Sequence, residues 1–520
     1  MKWIKPEGLL LILGFLSTLA FFMFRLAPPL ESIKRPEWVA LIPDDAYYYF
    51  TIARNIASGE GSTFDDITPT NGYHPAWMGL ASVVYLFVGE TNHLPIRLLL
   101  ITQAILGAGV IGGLVTWLAV RGCSPGSLAI FLVLMGTPWI TYGRTDGLES
   151  GLVQTWIVYF FMATIRLKEM SAAPSIQDFA LGAVLALGVM ARLDLALVCL
   201  SVGLIALWSY FRTPIHRRPT MDVFWSRAGL WALPPLMTIS IYLYLNSLVF
   251  DTLTPISGKL KNSFPSIGFR SEWLVQHPLP FLLMPVIAMS LRWLPERFEA
   301  GERWAMQVLA CSCFLLLANT LCFTRWGVHQ WHFTLIYLVG AISLTLLVEK
   351  LGASVAAKAA IFTVVLAMSV AGQFFFTHKR ADRAFQARSY EAAQVLRTQS
   401  GVPQRIGMTD AGAFGYFMGG GVVNLDGVVN NLAYQVALRD RGLRAYLDEQ
   451  NITGIAHHAV PMAKVARGYG TFTYRVRSHL FGTTSEIELS AADEIYRREY
   501  NDGTGPVAFI VWKRPVTARR

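Results

Sequence analysis

The 520-residue sequence is poor in charged side chains. Asp, Glu, Lys and Arg make up 15% of it, whereas hydrophobic residues make up 53% and the mean hydropathy is +0.43. A soluble protein of this size would carry about 25% charged residues. The deficit excludes an ordinary soluble globular protein and predicts a polytopic membrane protein.

Cysteine is also scarce, and its distribution argues against a disulfide-stabilised or metal-binding fold. The five cysteines lie in or beside apolar segments, and the last third of the chain contains none. We therefore expect no disulfide framework. Cys311 and Cys313 point to different faces of a predicted helix, which makes them a poor pair of metal ligands.

The net charge of +10 does not indicate a nucleic-acid partner. Much of the basic excess lies in short loops between apolar runs, where Lys and Arg mark the cytoplasmic side of a membrane. The sequence shows no run of aromatic residues interleaved with Lys and Arg that would line a nucleic-acid groove. We therefore expect no nucleic-acid partner and a surface that contacts membrane lipids.

Apolar runs occupy most of residues 1–376. A membrane-spanning helix needs about 20 mostly apolar residues. On that criterion we predict about 11 spans, at roughly 7–28, 97–120, 126–142, 150–167, 178–192, 194–211, 228–248, 278–294, 304–323, 332–348 and 353–376. The apolar run 76–89 is short for a span, and we interpret it as an interfacial helix.

The basic residues predict the orientation of this bundle. Lys2 and Lys5 place the N-terminus in the cytoplasm, and the predicted inner loops then carry most of the basic residues, as in "RTPIHRR" at 212–218. A span at 76–89 would invert every later loop. We therefore predict a multi-pass protein of the inner (plasma) membrane, with residues 29–96 (the first loop) and the whole of 377–520 outside.

Residues 377–520 differ in composition from the rest. "RIGMTDAGAFGYF" and "GVVNLDGVV" have the pattern strand, turn, helix, strand, and "ITGIAHHAV" adds another strand. This alternation predicts a small soluble α/β domain with some parallel strand pairing. The predicted fold class is thus mostly α, a membrane helical bundle followed by an extracytoplasmic α/β domain.

The first loop contains "PDDAYYYFTIARNIASGEG", which predicts a helix that begins at Asp44 or Asp45 and ends near Gly59. A polar stripe with Asp44 at one end alternates with an apolar stripe, so we expect an amphipathic helix that rests on the membrane face. Capping of the helix explains one carboxylate. The second remains open to catalysis, because a base for a sugar hydroxyl would need a carboxylate at the membrane surface.

The stretches "PDDAYYYFTIARN", "PTNGYHPAW" and "GLES" resemble the GT-C superfamily of polyprenyl-phosphate-sugar glycosyltransferases. That superfamily includes protein O-mannosyltransferases, aminoarabinose transferases and arabinofuranosyltransferases, and the resemblance covers residues 1 to about 376. It implies an inverting transfer from a polyprenyl-phosphate-linked sugar to an acceptor hydroxyl at the outer, periplasmic face. It also implies that Asp44, beside Asp45, is the general base. The acceptor, an envelope glycan, a lipid or a protein, is left open.

Basic side chains on the same predicted face are candidates for binding the leaving phosphate. They are Arg192, Lys259, Lys261 and Arg325, together with His329 and His332. The alternative is that each contacts lipid headgroups from the membrane interface. We also expect Tyr48, Arg54 and His74 to bind substrate, although His74 could equally make a structural hydrogen bond.

Glu149, in "GLES", is the second candidate acid. It precedes a predicted membrane helix, so it could stabilise the helix dipole. Alternatively it could orient the acceptor, or hold a divalent cation such as Mg²⁺ or Ca²⁺ with Asp44 and Asp45. The residues leave metal dependence open.

A transporter or flippase for lipid-linked sugars is the alternative function. Such a protein would be expected to place ionisable residues near the bilayer midplane and to contain a repeat. This sequence places most of them on one predicted face and shows no repeat, which favours the transferase.

Overall fold

The structure, a computed structural model, describes residues 36–90, 93–138, 140, 145–167, 173–292, 298–374, 384–462 and 470–514. The first predicted span, 7–28, and the ends of the third, eighth and eleventh spans lie outside these residues. The described part has the expected fold class: a helical membrane module followed by a domain that contains β-strands.

In the described part of the chain the first loop contains two α-helices, and twelve more follow in the membrane module. The first-loop helices are α1 (Asp44–Ala57) and α2 (Pro75–Val88). The next are α3 (Leu94–Val120), α4 (Pro125–Met135), α5 (Ser150–Ile165), α6 (Ile176–Ala191), α7 (Ala196–Arg212) and α8 (Met221–Phe250). After the short α9 (Ile256–Lys261) and α10 (Glu272–Gln276) come α11 (Pro278–Arg292), α12 (Ala300–Phe323), α13 (Thr334–Lys350) and α14 (Val355–Phe374).

Six of the described helical segments are long and apolar enough to cross a membrane. They are Leu94–Val120, Leu193–Arg212, Met221–Phe250, Ala300–Phe323, Gln330–Lys350 and Val355–Gly372. Helices α4, α5, α6 and α11 are apolar but shorter. The multi-pass membrane fold therefore agrees with expectation, whereas the number of eleven spans stays a prediction.

Helix α2 has the properties expected of an interfacial helix. At about 1.5 Å per residue, its 14 residues reach about 21 Å, less than the roughly 30 Å hydrocarbon core of a bilayer. Trp77 and Tyr85 are buried on one face, while Leu86 and Phe87 are exposed on the other. Exposed apolar side chains on a helix this short suit the membrane surface.

Helix α1 does not rest on the membrane as we expected. Eleven of its 14 residues are buried, including Phe50 on the apolar stripe and Tyr48 on the polar stripe. The prediction of an amphipathic surface helix is therefore wrong. The polar stripe faces protein, because the C-terminal domain packs against this helix and supplies hydrogen-bonding partners for it.

The C-terminal domain is built on a mixed sheet. Its strands are β1 (Ile406–Met408), β2 (Val422–Asn424), β3 (Gly454–Pro461), β4 (Thr471–Arg477), β5 (Thr484–Ser490), β6 (Glu494–Asn501) and β7 (Pro506–Lys513). Five of them form a sheet in the order β2-β1-β3-β7-β6, and β4 pairs with β5 as a separate hairpin. Strand β1 is parallel to β2 and β3, and the other pairs are antiparallel. The helices are α15 (Phe385–Leu396), α16 (Gly412–Met418), α17 (Leu432–Asp440) and α18 (Gly442–Glu449).

Ionisable groups in the membrane module gather at the helix ends. Asp178 and Arg227 form an ion pair of 2.8 Å at the starts of α6 and α8, and both side chains are fully buried. The Trp231 indole N–H also donates to this carboxylate, at 3.0 Å. The pair lies at the end of the bundle opposite the first loop, since α6 runs from Asp178 towards Arg192.

Removal of Asp178 should therefore destabilise the fold strongly. In Asp178→Ala the Arg227 guanidinium would be left buried without its carboxylate, and breaking such a pair costs about 3–5 kcal/mol. We expect a clearly lower thermal unfolding midpoint in detergent. Asp222→Ala, which removes an exposed acid from the start of α8, is the matched control, and equal midpoints for the two variants would contradict the argument.

Candidate active site

A cavity of about 700 Å³ lies where the first loop, the loops at the same end of the bundle and the C-terminal domain meet. Nine of the twelve predicted site residues line it: Asp45, Tyr48, His74, Glu149, Arg192, Lys259, Lys261, Arg325 and His332. Its wall also includes Trp326 and Trp331, and from the C-terminal domain Val428, Val429 and Leu480. Most of the residues that the sequence singled out therefore line one cavity.

Asp45 lines this cavity together with a group of cations. Its side chain is 33% exposed, and its Oδ2 lies 3.6 Å from Nζ of Lys261. Lys259 lines the same cavity two residues earlier on α9, and among the described residues it has no ion-pair partner within 4.0 Å. The backbone N–H of Arg325 donates to the Lys261 carbonyl at 2.8 Å, which ties the α12–α13 loop to α9. Three cations are therefore held on one wall.

Asp44 turns away from the cavity. Its two oxygens accept hydrogen bonds from the backbone N–H groups of Gly412 and Ala413, each at 2.8 Å. Burial raises the pKa of Asp44 well above its usual range, although the hydrogen bond from Ala413 acts in the opposite direction. A ligand in the cavity would meet Asp45 and not Asp44.

Glu149 belongs to a small hydrogen-bonded group. Its Oε2 accepts from the Tyr49 hydroxyl at 3.2 Å, and its Oε1 lies 3.6 Å from Nε2 of His74. The His74 backbone N–H donates to the Tyr49 oxygen at 2.9 Å. The sequence did not single out Tyr49. Its position four residues after Asp45 puts both side chains on one helix face, and this spacing could have identified it.

The tautomer of His74 follows from its neighbours. The backbone N–H of Leu193 points at Nδ1, 3.4 Å away, so Nδ1 is the acceptor and Nε2 carries the proton that faces Glu149. Burial lowers the pKa of His74, although the nearby Glu149 carboxylate acts to raise it. The structural hydrogen bond considered from the sequence is thus present, and the ring is neutral near pH 7.

Arg192 organises one side of the cavity. Its guanidinium donates to the carbonyls of Trp331 and His332, at 2.6 and 3.2 Å, and pairs with Asp194 at 2.7 Å. These bonds fix the loop that carries His332. His329 does not line the cavity, but its ring stacks on Trp331 with the centroids 4.4 Å apart.

Arg54 also lies outside the cavity. Its guanidinium donates to the Tyr416 carbonyl at 3.2 Å and pairs with Glu90 at 3.1 Å. It sits near the C-terminal end of α1, more than two turns from Asp45. The structure therefore gives Arg54 a contact with the C-terminal domain in place of the expected contact with substrate.

The acids do not form a cation site. Among the residues that the structure describes, no group of three or more His, Cys, Asp or Glu side chains could hold a metal ion. Of the three candidate ligands, Asp44 is occupied by two backbone N–H groups and Glu149 by Tyr49 and His74. The donor set does not fit Mg²⁺ or Ca²⁺, and we assign no step to a cation.

No protein-family model matches the chain, and no curated protein matches its sequence. Its fold is similar to that of ArnT from Cupriavidus metallidurans, in a crystal structure bound to undecaprenyl phosphate. The TM-score is 0.53, with 11% identity over 97% of this chain and 98% of that chain. Two structures of the Archaeoglobus fulgidus oligosaccharyltransferase give lower scores. AglB in complex with an inhibitory peptide and a dolichol-phosphate gives 0.48, with 12% identity over 92% of this chain and 74% of that one. The enzyme tethered to an acceptor peptide gives 0.49, with 14% identity over 94% and 74%.

The similarity to ArnT extends over nearly the whole of both chains, so it includes the C-terminal domain as well as the helical bundle. The chain therefore has the GT-C fold that the first-loop residues predicted.

The state of His74 can be tested through stability. Because its pKa is lowered in the folded protein, the unfolded chain binds the proton more readily, and stability falls as the pH drops below about 6.5. His74→Asn keeps an acceptor for the Leu193 N–H but cannot be protonated.

We expect the thermal unfolding midpoint of the native protein to fall more between pH 7 and pH 5 than that of His74→Asn. His216→Asn, which changes an exposed histidine at the opposite end of the bundle, should behave like the native protein. Parallel pH curves for His74→Asn and the native protein would show that His74 does not hold this lowered pKa.

Proposed function

We propose that this chain is an integral membrane glycosyltransferase that moves a sugar from a polyprenyl-phosphate donor to an acceptor hydroxyl. One observation carries the proposal: Asp45 lines one cavity together with Lys259, Lys261 and Arg325, and its carboxylate lies 3.6 Å from Lys261. The fold supports it, since ArnT was crystallised with undecaprenyl phosphate. The bias of basic residues in the sequence supports a site at the outer face of the inner membrane.

In the proposed reaction the acceptor oxygen attacks the anomeric carbon of the donor sugar. Asp45 takes the hydroxyl proton as the new C–O bond forms, and the bond from the anomeric carbon to the phosphate oxygen breaks. Polyprenyl phosphate leaves with the bonding electrons. Attack opposite the leaving group inverts the anomeric configuration, and no nucleotide is needed because the phosphate already activates the sugar.

Asp45 is a better candidate for the base than Asp44. The resemblance to the superfamily implied Asp44, but both of its oxygens are engaged by backbone N–H groups and it does not line the cavity. Asp45 is partly exposed and reaches the cavity from the next position on the same helix. A base must come within hydrogen-bond reach of the proton that it removes, which favours Asp45.

The cations of the cavity are proposed to stabilise the leaving phosphate. Negative charge on the phosphate increases as the bond to the sugar breaks, and positive side chains already in place stabilise that charge. Lys259, Lys261 and Arg325 are proposed to supply them. Glu149, held by Tyr49 and His74, is proposed to orient the acceptor, because its carboxylate lies at the edge of the same cavity.

Asp45→Asn tests the base. Purified protein would be incubated with a panel of radiolabelled prenyl-phosphate sugars and membrane extract, and transfer of label would be measured. Loss of a general base lowers the rate by about 10²- to 10⁴-fold, and we expect a fall of that order. Glu60→Gln, an exposed acid of the same loop, is the matched control.

Native transfer rates in Asp45→Asn would remove this residue from the mechanism. If no donor is consumed and labelled lipid instead crosses the bilayer of reconstituted vesicles, the chain is a transporter.

The lysines can be tested by donor binding. Lys259→Gln and Lys261→Gln each remove one charge that would contact the phosphate, and a hydrogen bond to a charged group contributes about 1.5–3 kcal/mol. We expect the dissociation constant for undecaprenyl phosphate to rise about tenfold or more in each variant. Lys350→Gln, at the opposite end of the bundle, should leave it unchanged.

The neutral alcohol undecaprenol serves as the second ligand in this experiment. Its binding should be the same in the native protein and in both lysine variants, because it lacks the phosphate. An equal loss for both ligands would indicate that the lysines support the fold of the cavity and not the phosphate.

A further inference from the structure

Helix α1 uses two faces for two different partners. Asp45 and Tyr49, four residues apart, face the cavity, where Tyr49 donates to Glu149. Asp44 and Tyr48 are also four residues apart and make hydrogen bonds to the C-terminal domain. One helical turn thus carries both the proposed base and a domain contact, and Tyr48, which also lines the cavity, belongs to both.

The contact from Tyr48 is as complete as that from Asp44. The Tyr48 oxygen accepts from the Ala411 backbone N–H and from the Asn424 side-chain amide, each at 3.1 Å. Its hydroxyl donates to Oδ2 of Asp426, also at 3.1 Å. These partners lie at or just after the carboxyl ends of β1 and β2.

The two surfaces also approach too closely for side chains. A Cβ on Gly412 would lie 2.2 Å from the Asp44 carbonyl oxygen, and a Cβ on Gly72 would lie 1.8 Å from the Val428 carbonyl oxygen. Val428 itself lines the cavity. The C-terminal domain is therefore a wall of the site and in direct contact with the helix that presents Asp45.

Further ion pairs and hydrogen bonds extend this contact along the first loop. Arg54 donates to the Tyr416 carbonyl near the other end of α1, at 3.2 Å. Arg405 pairs with Asp65 at 2.7 Å, and the Asp65 side chain is almost fully buried. Both ends of the helix are thus fixed to the same domain, so that a rotation of α1 would break bonds at both.

We propose that the C-terminal domain positions the transfer site, and that Asp44 is the positioning residue through which it fixes the direction of Asp45. The inference rests on the proposed function. A displacement of about 1 Å at a reacting group can cost about 10²-fold in rate. The bonds from Gly412 and Ala413 to Asp44 lie one residue from the base, where a small rotation of the helix moves it directly.

Asp44→Asn in the full-length protein tests this role. Asparagine keeps one acceptor oxygen, but its amide nitrogen would face a backbone N–H, so one of the two bonds is lost. We expect kcat to fall about 10- to 100-fold, with little change in KM for the donor. The pH dependence of the remaining activity should keep its native shape, because Asp45 is still the base. Backbone amides of 406–418 should exchange hydrogen faster.

Asp426→Asn loosens the same contact from the domain side without touching the cavity. Its new amide would face the Tyr48 hydroxyl and the Asp410 N–H, which both point at Oδ2. We expect the same combination of lower kcat, native pH profile and faster exchange. Asp440→Asn, an exposed acid on α17, is the matched control. If Asp44→Asn does not fold, Asp426→Asn carries the test.

Two results would overturn the inference. In one, Asp44→Asn abolishes transfer as completely as Asp45→Asn while hydrogen exchange stays native, so that Asp44 is itself the base. In the other, exchange shows a released domain while kcat stays native. Failure of the proposed function is distinct from both, because the native protein would then transfer no sugar, or Asp45→Asn would transfer it at the native rate.

Discussion

The hydrocarbon interior of a membrane tolerates ionisable side chains poorly, and this constraint arranges the whole protein. Among the described residues, Asp178 and Arg227 form a buried pair near one end of the bundle, and Glu149, Arg192 and Arg325 line a cavity at the other. At the end that carries the first loop, five segments distant in sequence bring cations and acids together. The polar lining of the cavity therefore follows from the exclusion of ionisable side chains from the hydrocarbon interior.

Helical periodicity places the adjacent residues Asp44 and Asp45 in different environments. Asp44 and Asp45 are neighbours in sequence, but successive side chains on a helix point about 100° apart. One carboxylate is therefore buried against backbone N–H groups of the C-terminal domain, while the other is partly exposed to the cavity. Burial and bonding, and not residue type, separate the two acids.

The sequence located residues that line the cavity where a polar residue follows an apolar run. Glu149, Arg192 and Arg325 lie beside membrane helices, so their depth and face follow from hydropathy alone. Asp44 and Arg54 were placed less well, because their partners lie more than 350 residues later, in a domain whose docking no local pattern encodes. The burial of α1 follows from the same long-range contact and could not be read from its amphipathic stripes.

The C-terminal domain restrains the first loop, which carries the proposed base. A loop at a membrane surface is anchored at its ends, and its middle is free to move unless something packs against it. Here α1 is fixed by the domain at Asp44 and Tyr48 on one side and by α2 on another. A proposed base on such a helix keeps its distance to the cations of α9 without depending on the lipid for support. The domain is therefore as much a part of the site as the membrane helices are.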